Sequence, residues 1–188
     1  MKKSLPTFLS LTLAAVWIAG CGSTPNVGSV DERQMQDSKA QSAISRFKEV
    51  DPSMQHWFDS AYAYAVYPDV VTAAVGLGGG HGNGEVFSQG RLIGYTDLSQ
   101  GNIGLQLGGQ KYSEIIFFEN QEKLQEFQRG TFEFDARATA VAASNGAGAA
   151  ADYAHGVLIF CLPESGLMAQ AAIGGQKFRY TAANDVSR

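Results

Sequence analysis

The residues whose types could do chemistry are few: three histidines, two cysteines, and some lysines and arginines placed beside glycines. His56, His81 and His155 are scattered along the chain. His81 shares a strand face with Glu85, and Asp152 stands near His155, but neither group makes the three protein ligands a metal site needs. No pattern of nucleophile, base and orienting group emerges, so no catalytic residue, metal or cofactor is expected and the chain does not read as an enzyme. Phosphate loops fail as well. The Walker pattern needs Lys and then Ser or Thr after its last glycine, and here His81 or Asn83 stands instead; the G-x-G-x-x-G spacing is missed throughout residues 76–84. What remains is a repeat. Leu107-Gly108-Gly109-Gln110-Lys111-Tyr112 recurs as Ile173-Gly174-Gly175-Gln176-Lys177-Phe178, with a weaker copy at Leu77-Gly78-Gly79-Gly80-His81. On a strand, each lysine and the aromatic after it point to opposite faces. With the aromatics inward, Lys111 and Lys177 point outward. Should their strands lie near one another, the two lysines make a local positive spot for a phosphate-bearing headgroup, and Arg91 and Arg179 are the further candidate cations. The plainer alternative is two solvated lysines, each in a weak surface ion pair.

Composition narrows the setting. The chain has 188 residues, 14 basic against 18 acidic, and a net charge of −4, which argues against a nucleic-acid binder. Its length suits one domain. The N-terminus reads as an address: Lys2 and Lys3 precede an apolar stretch broken by Pro6, Thr7, Ser10 and Thr12. That stretch is too short for the roughly 20 apolar residues of a membrane span, so residues 1–20 are expected to be a signal peptide. Ile18-Ala19-Gly20-Cys21 resembles the lipobox of bacterial lipoproteins. The resemblance implies a diacylglycerol on the Cys21 sulfur, cleavage before it, and an acyl chain (palmitate or similar) on the new amine. Gly22, standing where a retention Asp could be, implies by the same resemblance an outer-membrane anchor facing the periplasm. The other cysteine, Cys161, lies in an apolar run of strand length and reads as a buried, inert thiol.

Positioning elements follow from periodicity. Residues 21–37 are polar and read as a tether. Within residues 38–49, Ala40, Ala43, Ile44 and Phe47 fall on one helical face. Asp51-Pro52 reads as a cap and first position of a second helix over residues 52–63. From Val70 to Tyr112 the pattern is strand-like, with turns expected at Ser88-Gln89-Gly90 and Ser99-Gln100-Gly101. Glycine alternates at 76, 78, 80, 82 and 84, the period of a strand. One face is therefore bare backbone, either for a tight crossing or for a ligand groove. Asn120 should cap a short helix that carries Leu124 and Phe127 inward and stops at Gly130. Residues 135–144 read as an Ala-rich helix, residues 156–162 and 166–173 as a hairpin, and Phe178 and Tyr180 as lying on a closing strand. Trp57, Phe58, Tyr62, Tyr64 and Tyr67 read as core between helix and sheet. The expected fold is α+β, a curled or barrel-like antiparallel sheet with Gly-rich strands, packed by three to four helices, in a single domain over residues 38–188.

Several segments together resemble the SYLF domain family. They are Ala61-Tyr62-Ala63-Tyr64-Ala65-Val66-Tyr67-Pro68, Gly76-Leu77-Gly78-Gly79-Gly80-His81-Gly82, Gln106-Leu107-Gly108-Gly109-Gln110, Glu114-Ile115-Ile116-Phe117-Phe118, and Gly166-Leu167-Met168 through Phe178. The resemblance spans about residues 40–181. It implies binding of phospholipid, phosphoinositide-type or another anionic headgroup, at the envelope membrane; the alternative it leaves is an adaptor that binds an envelope protein, as eukaryotic relatives bind actin. Eukaryotic members use a basic amphipathic N-terminal helix. Here that segment offers only Lys39, Arg46 and Lys48, opposed by Glu49.

Overall fold

A computed structural model describes residues 29–130, 141–164 and 175–185, with the side chains of 74–78 and 102–109 left aside. The first helix, α1 (Val30–Val50), is opened by a capping box: the Ser29 hydroxyl accepts from the Glu32 amide, and the Glu32 carboxylate accepts from the Ser29 amide. It starts well before residue 38, so the expected tether overlaps it. The polar run that suggested a linker is a solvated helix whose sequence supplies its own cap. A short helix follows, α2 (Met54–Ser60), not the longer one expected, because the chain turns extended at Ala61. Asp51 does not precede the helix directly. Its carboxylate instead accepts from the Ser53 amide and hydroxyl and from the Gly148 amide.

Two long strands dominate: β1 (Ala63–Ser88) and β2 (Arg91–Phe118). They pair antiparallel along their length, joined by a turn at which Gln89 and Gly90 both have positive φ. That is the backbone a two-residue hairpin requires. The second expected turn, at residues 99–101, does not exist: these residues continue β2, where a lone glycine interrupts nothing. Helix α3 (Gln121–Gln128) is capped by Asn120 and buries Leu124 and Phe127. Then come β3 (Val141–Ala142), α4 (Ala147–Ala150), β4 (Val157–Pro163) and β5 (Gln176–Ala182). Val141 and Ala142, expected in an Ala-rich helix, are strand, drawn into parallel pairing with Phe160 and Cys161. Ala143 and Ser144 are irregular, with the Ala143 amide donating to the Cys161 carbonyl. Residues 135–140 lie outside the described residues, as do the second half of the expected hairpin, Gly166–Ile173, and residues 1–28.

The sheet runs β1-β2-β4-β3. β4 pairs with the last seven residues of β2, and β5 pairs with a seven-residue stretch near its start. All pairings are antiparallel except β3 with β4, so the sheet is mixed and does not close. It is an α+β fold, and the sheet curls. Gly80, Gly82 and Gly84 bring the far half of β1 onto its near half. A Cβ on Gly84 would stand 2.7 Å from the Val66 carbonyl, and one on Gly82 would stand 3.1 Å from that of Asp69. This selects the tight-crossing reading of the bare strand face at these three glycines; the surroundings of Gly76 and Gly78 are outside the description. Pro68, which cannot donate to a ladder, sits at a bulge between Tyr67 and Val70.

Curling leaves two cores. One face of the sheet is covered by α1, α2 and the α4 region, through Ala43, Phe47, Met54 and Trp57 on Tyr64, Val66, Phe117 and Phe160. The other face is enclosed by the curl and by α3, around Tyr67, Tyr112, Phe118, Phe127 and Phe178. The aromatic cluster is core as expected, with Tyr62 at its exposed edge.

Candidate functional site

A row of α1 residues one turn apart, Ser38, Ser42 and Arg46, runs beside Lys39 on the side of the helix next to its buried stripe. The row faces the Pro68-Asp69 bulge of β1 and, beyond it, Lys111 and Ser113 of β2. Together they line a cleft of about 290 Å³. The bulge is held from below, where the Ser113 hydroxyl donates to the Pro68 carbonyl at 2.7 Å. That fixes the direction of Asp69, which accepts from Lys39 at 3.1 Å and from Lys111 at 2.9 Å. Lys111 also reaches Glu164 at 2.8 Å. Partial burial works to raise the Asp69 carboxyl, but the hydrogen bonds from Lys111 and Lys39 outweigh it and hold it below its usual range. The Lys111 ammonium is pushed up by Glu164 and Asp69.

The cleft continues along α1 into a second lobe of about 390 Å³, where Met35, Pro68 and Val71 supply apolar wall and Glu32, Gln36 and His81 a polar rim. Lys39, Pro68 and Asp69 belong to both lobes. Met35 and Val71 are more than half exposed. The groove thus has a cationic end carrying Lys39, Arg46, Lys111 and serine hydroxyls, next to a weakly apolar end. Lys39, Arg46 and Lys111 outnumber the two carboxylates among them, Asp69 and Glu164, and make a local positive spot on an acidic chain, suited to an anion that displaces Asp69 from its two lysines.

Of the cations picked from the sequence, only Lys111 is here. Lys177 and Arg179 lie outward on β5, opposite Ser99 and Asp97, and Arg91 opens β2 at the hairpin tip. Lys111 faces Val71 across the other ladder, twelve positions from Ser99 along β2. The repeat therefore does not pair its lysines. What it does predict correctly is direction: Tyr112 and Phe178 are buried, and Lys111 and Lys177 are exposed. The residues that sequence reasoning missed are Lys39 and Arg46 as partners of Lys111. The four-residue spacing of Ser38, Ser42 and Arg46 was the available signal; the strand that completes the site was not readable.

Other candidates are structural. Cys161 is buried, and burial together with the Glu114 carboxylate pushes its thiol up, so it is inert as expected. Among the described residues there is no cluster of metal-ligating side chains and no helix long and apolar enough to cross a membrane. Cys21 lies outside the described residues.

Comparison with known proteins adds two findings. Residues 99–185 match the family model Ysc84, the Las17-binding protein actin regulator. Beta cell expansion factor A of Aeromonas veronii is 28% identical over 145 residues, covering 76% of this chain. The match spans 54% of that relative, so the chain corresponds to about half of it. The family match contains Lys111 and Glu164 of the groove and stops short of Lys39, Asp69 and Arg46.

Proposed function

We infer, from the SYLF-family domain that this chain carries across residues 99–185, that it is a non-enzymatic binding protein whose groove beside α1 takes the phosphate of an anionic phospholipid. The family match carries lipid or protein binding in general. The observation that favours lipid is the meeting of Lys39, Arg46 and Lys111 over two carboxylates, Asp69 and Glu164, next to the apolar lobe of Met35, Pro68 and Val71. A phosphodiester can take the place of Asp69 between Lys39 and Lys111 and also reach Arg46, and the glycerol end of the lipid has apolar surface to lie on. The lipobox-like segment ending at Cys21 supports an anchored protein of the bacterial envelope, at the outer membrane. Two or more acyl chains at Cys21 would hold it there, since each buried methylene contributes about 0.8 kcal/mol.

The test uses the Cys21→Ser chain, so that vesicle binding cannot come from its own acyl groups. It should float with vesicles containing phosphatidylglycerol and not with phosphatidylcholine alone. Combined Lys39→Ala, Arg46→Ala and Lys111→Ala should weaken flotation several-fold at low salt. The difference should shrink near physiological ionic strength, where screening sets in within about 8 Å. Equal flotation of triple variant and parent at low salt would remove the groove as the lipid site and leave a protein partner as the better reading.

A further inference from the structure

A buried carboxyl group lies under a weakly secured stretch of α1. Glu85 of β1 has no exposed surface, and neither of its carboxylate oxygens has a hydrogen-bond partner. Burial, and then the charge of Asp37, raises it from 4.5 to about 7. Asp37 belongs to α1, and the neighbouring Gln36 donates to the Gly84 carbonyl at 3.1 Å, so this part of the helix lies over Glu85. Yet α1 is secured unevenly. Ala40, Ala43, Ile44 and Phe47 are buried, whereas no residue from 30 to 39 is buried and only Arg33 and Gln36 are half covered. The Gln36 bond and the exposed Lys39–Asp69 pair are its side-chain attachments to the sheet. Glu32, Met35, Gln36 and Lys39 of the same stretch also form one wall of the groove.

We propose that residues 30–39 of α1 are a lid over Glu85, closed and completing the groove only while that carboxyl carries its proton. The proposal rests on the groove reading for its consequence, not for its mechanism. The groups facing Glu85 are Arg33 and Asp37 from the helix and Tyr95 directly across on β2, with His81 and Asp97 along the same sheet face. Arg33 does not donate to Glu85, and Asp37 repels its charge, so the closed lid has no compensation for an ionised Glu85. An open lid returns Glu85 to water, where its ordinary value is 4.5. Opening then releases one proton. Its equilibrium rises about tenfold per pH unit between those two values and levels off above about 7.

Hydrogen exchange of the full chain, normalised to intrinsic rates, tests this. The amides of residues 33–39 should lose protection about tenfold per unit from pH 5 to 7 and then level off, while those of residues 43–50 hold. Glu85→Gln should keep residues 33–39 protected throughout. Asp37→Asn, which leaves the core untouched, should make the loss level off at a lower pH. Parallel pH courses in parent and Glu85→Gln would overturn the lid, as would equal loss along the whole helix. A second arm measures binding to phosphatidylglycerol vesicles as a ratio of Glu85→Gln to parent, both carrying Cys21→Ser. The ratio should be near one at pH 5 and several-fold at pH 7.5. An exchange signature with an unchanged ratio upholds the lid and overturns the groove as the lipid site. Groove-dependent vesicle binding with no exchange signature overturns the lid.

Discussion

The two faces of the sheet are buried by different means, and their polar groups fare differently. On the helix-covered face the core is apolar: Phe47 and Trp57 come down on Tyr64, Phe117 and Phe160. Where that cover thins toward the start of α1, Glu85 is left with no partner. The face inside the curl is mixed. There Tyr67 bonds Thr96 at 3.0 Å, Tyr112 donates to Gln100 at 3.0 Å, and Gln176 donates to Gln100 and to Glu114. Glu114 and Glu85 are both fully buried and both raised to about 7, chiefly by burial. One sits in a hydrogen-bonded chain that ties three strands together; the other sits beneath an element with little else to hold it. The first arrangement favours a fixed structure and the second a movable one.

The largest break in this contrast comes from the helix-covered face. Phe47 has no exposed surface and is the last large anchor of α1. Phe47→Ala should cost about 3–5 kcal/mol and lower the melting temperature by roughly ten degrees or more. An almost unchanged melting curve would mean that α1 adds nothing to the fold. Inside the curl, the corresponding break is an addition. Gly84→Val would put its first carbon 2.6 Å from the Tyr67 ring and 2.7 Å from the Val66 carbonyl. Backbone cannot yield as a side chain end can, so a cost of about 3 kcal/mol is expected, at the upper end for overpacking. Gly90→Ala makes the control: no atom lies near, and only its positive φ is strained. If Gly84→Val melts no lower than Gly90→Ala, the glycine face is not a crossing point.

Much of this architecture was legible and some was not, for definite reasons. The period of Ala40, Ala43, Ile44 and Phe47 named the buried stripe, Asn120 and Gly130 bounded α3, and alternate glycines announced a bare strand face without saying whether backbone or a ligand would meet it. Each is a local rule written in neighbouring residues. The missed turn at 99–101 failed because Gly101 continues a strand that long-range pairing, with Gly79 opposite it, holds extended. The start of α1 failed because a solvated helix and a polar linker share a composition. The groove was half legible: Lys111 could be aimed outward from the strand period. That it meets Lys39 and Arg46, and not Lys177, depends on which edge of β2 each partner strand takes, and no local pattern carries that.

Glu114 sharpens the comparison at intermediate size. Its folded value lies above the ordinary 4.5, so the folded state holds this proton more tightly than the unfolded chain does. Its contribution is complete below about pH 4.5 and is lost as pH rises toward 7. Glu114→Gln keeps the shape and removes the titration. Relative to the parent, the variant should gain about 2–3 kcal/mol between pH 4.5 and 8 in denaturant midpoints. Glu85→Gln should gain in the same window, but part of that gain is local, because the parent can relieve Glu85 by lifting a helix end and cannot relieve Glu114 without opening the sheet. Identical global pH profiles for the two variants would erase the distinction between the faces.

The smallest expected effect probes the loose half of α1 by itself. Ser29 caps the helix through the Glu32 amide, and Glu32 returns the bond to the Ser29 amide. Removing a capping hydroxyl typically costs about 1 kcal/mol of helix stability. Where that cost appears depends on how the helix is attached. If residues 30–39 were locked to the sheet like residues 40–50, Ser29→Ala would lower the melting temperature by about 2–4 °C. With one hydrogen bond and one exposed ion pair as attachments, the first turns can fray while Ala40 through Phe47 stay docked. Ser29→Ala should therefore leave the melting temperature within about one degree and raise normalised exchange at residues 33–36 by roughly fivefold. A shift in melting temperature with no local change in exchange would show that the two halves of α1 move as one.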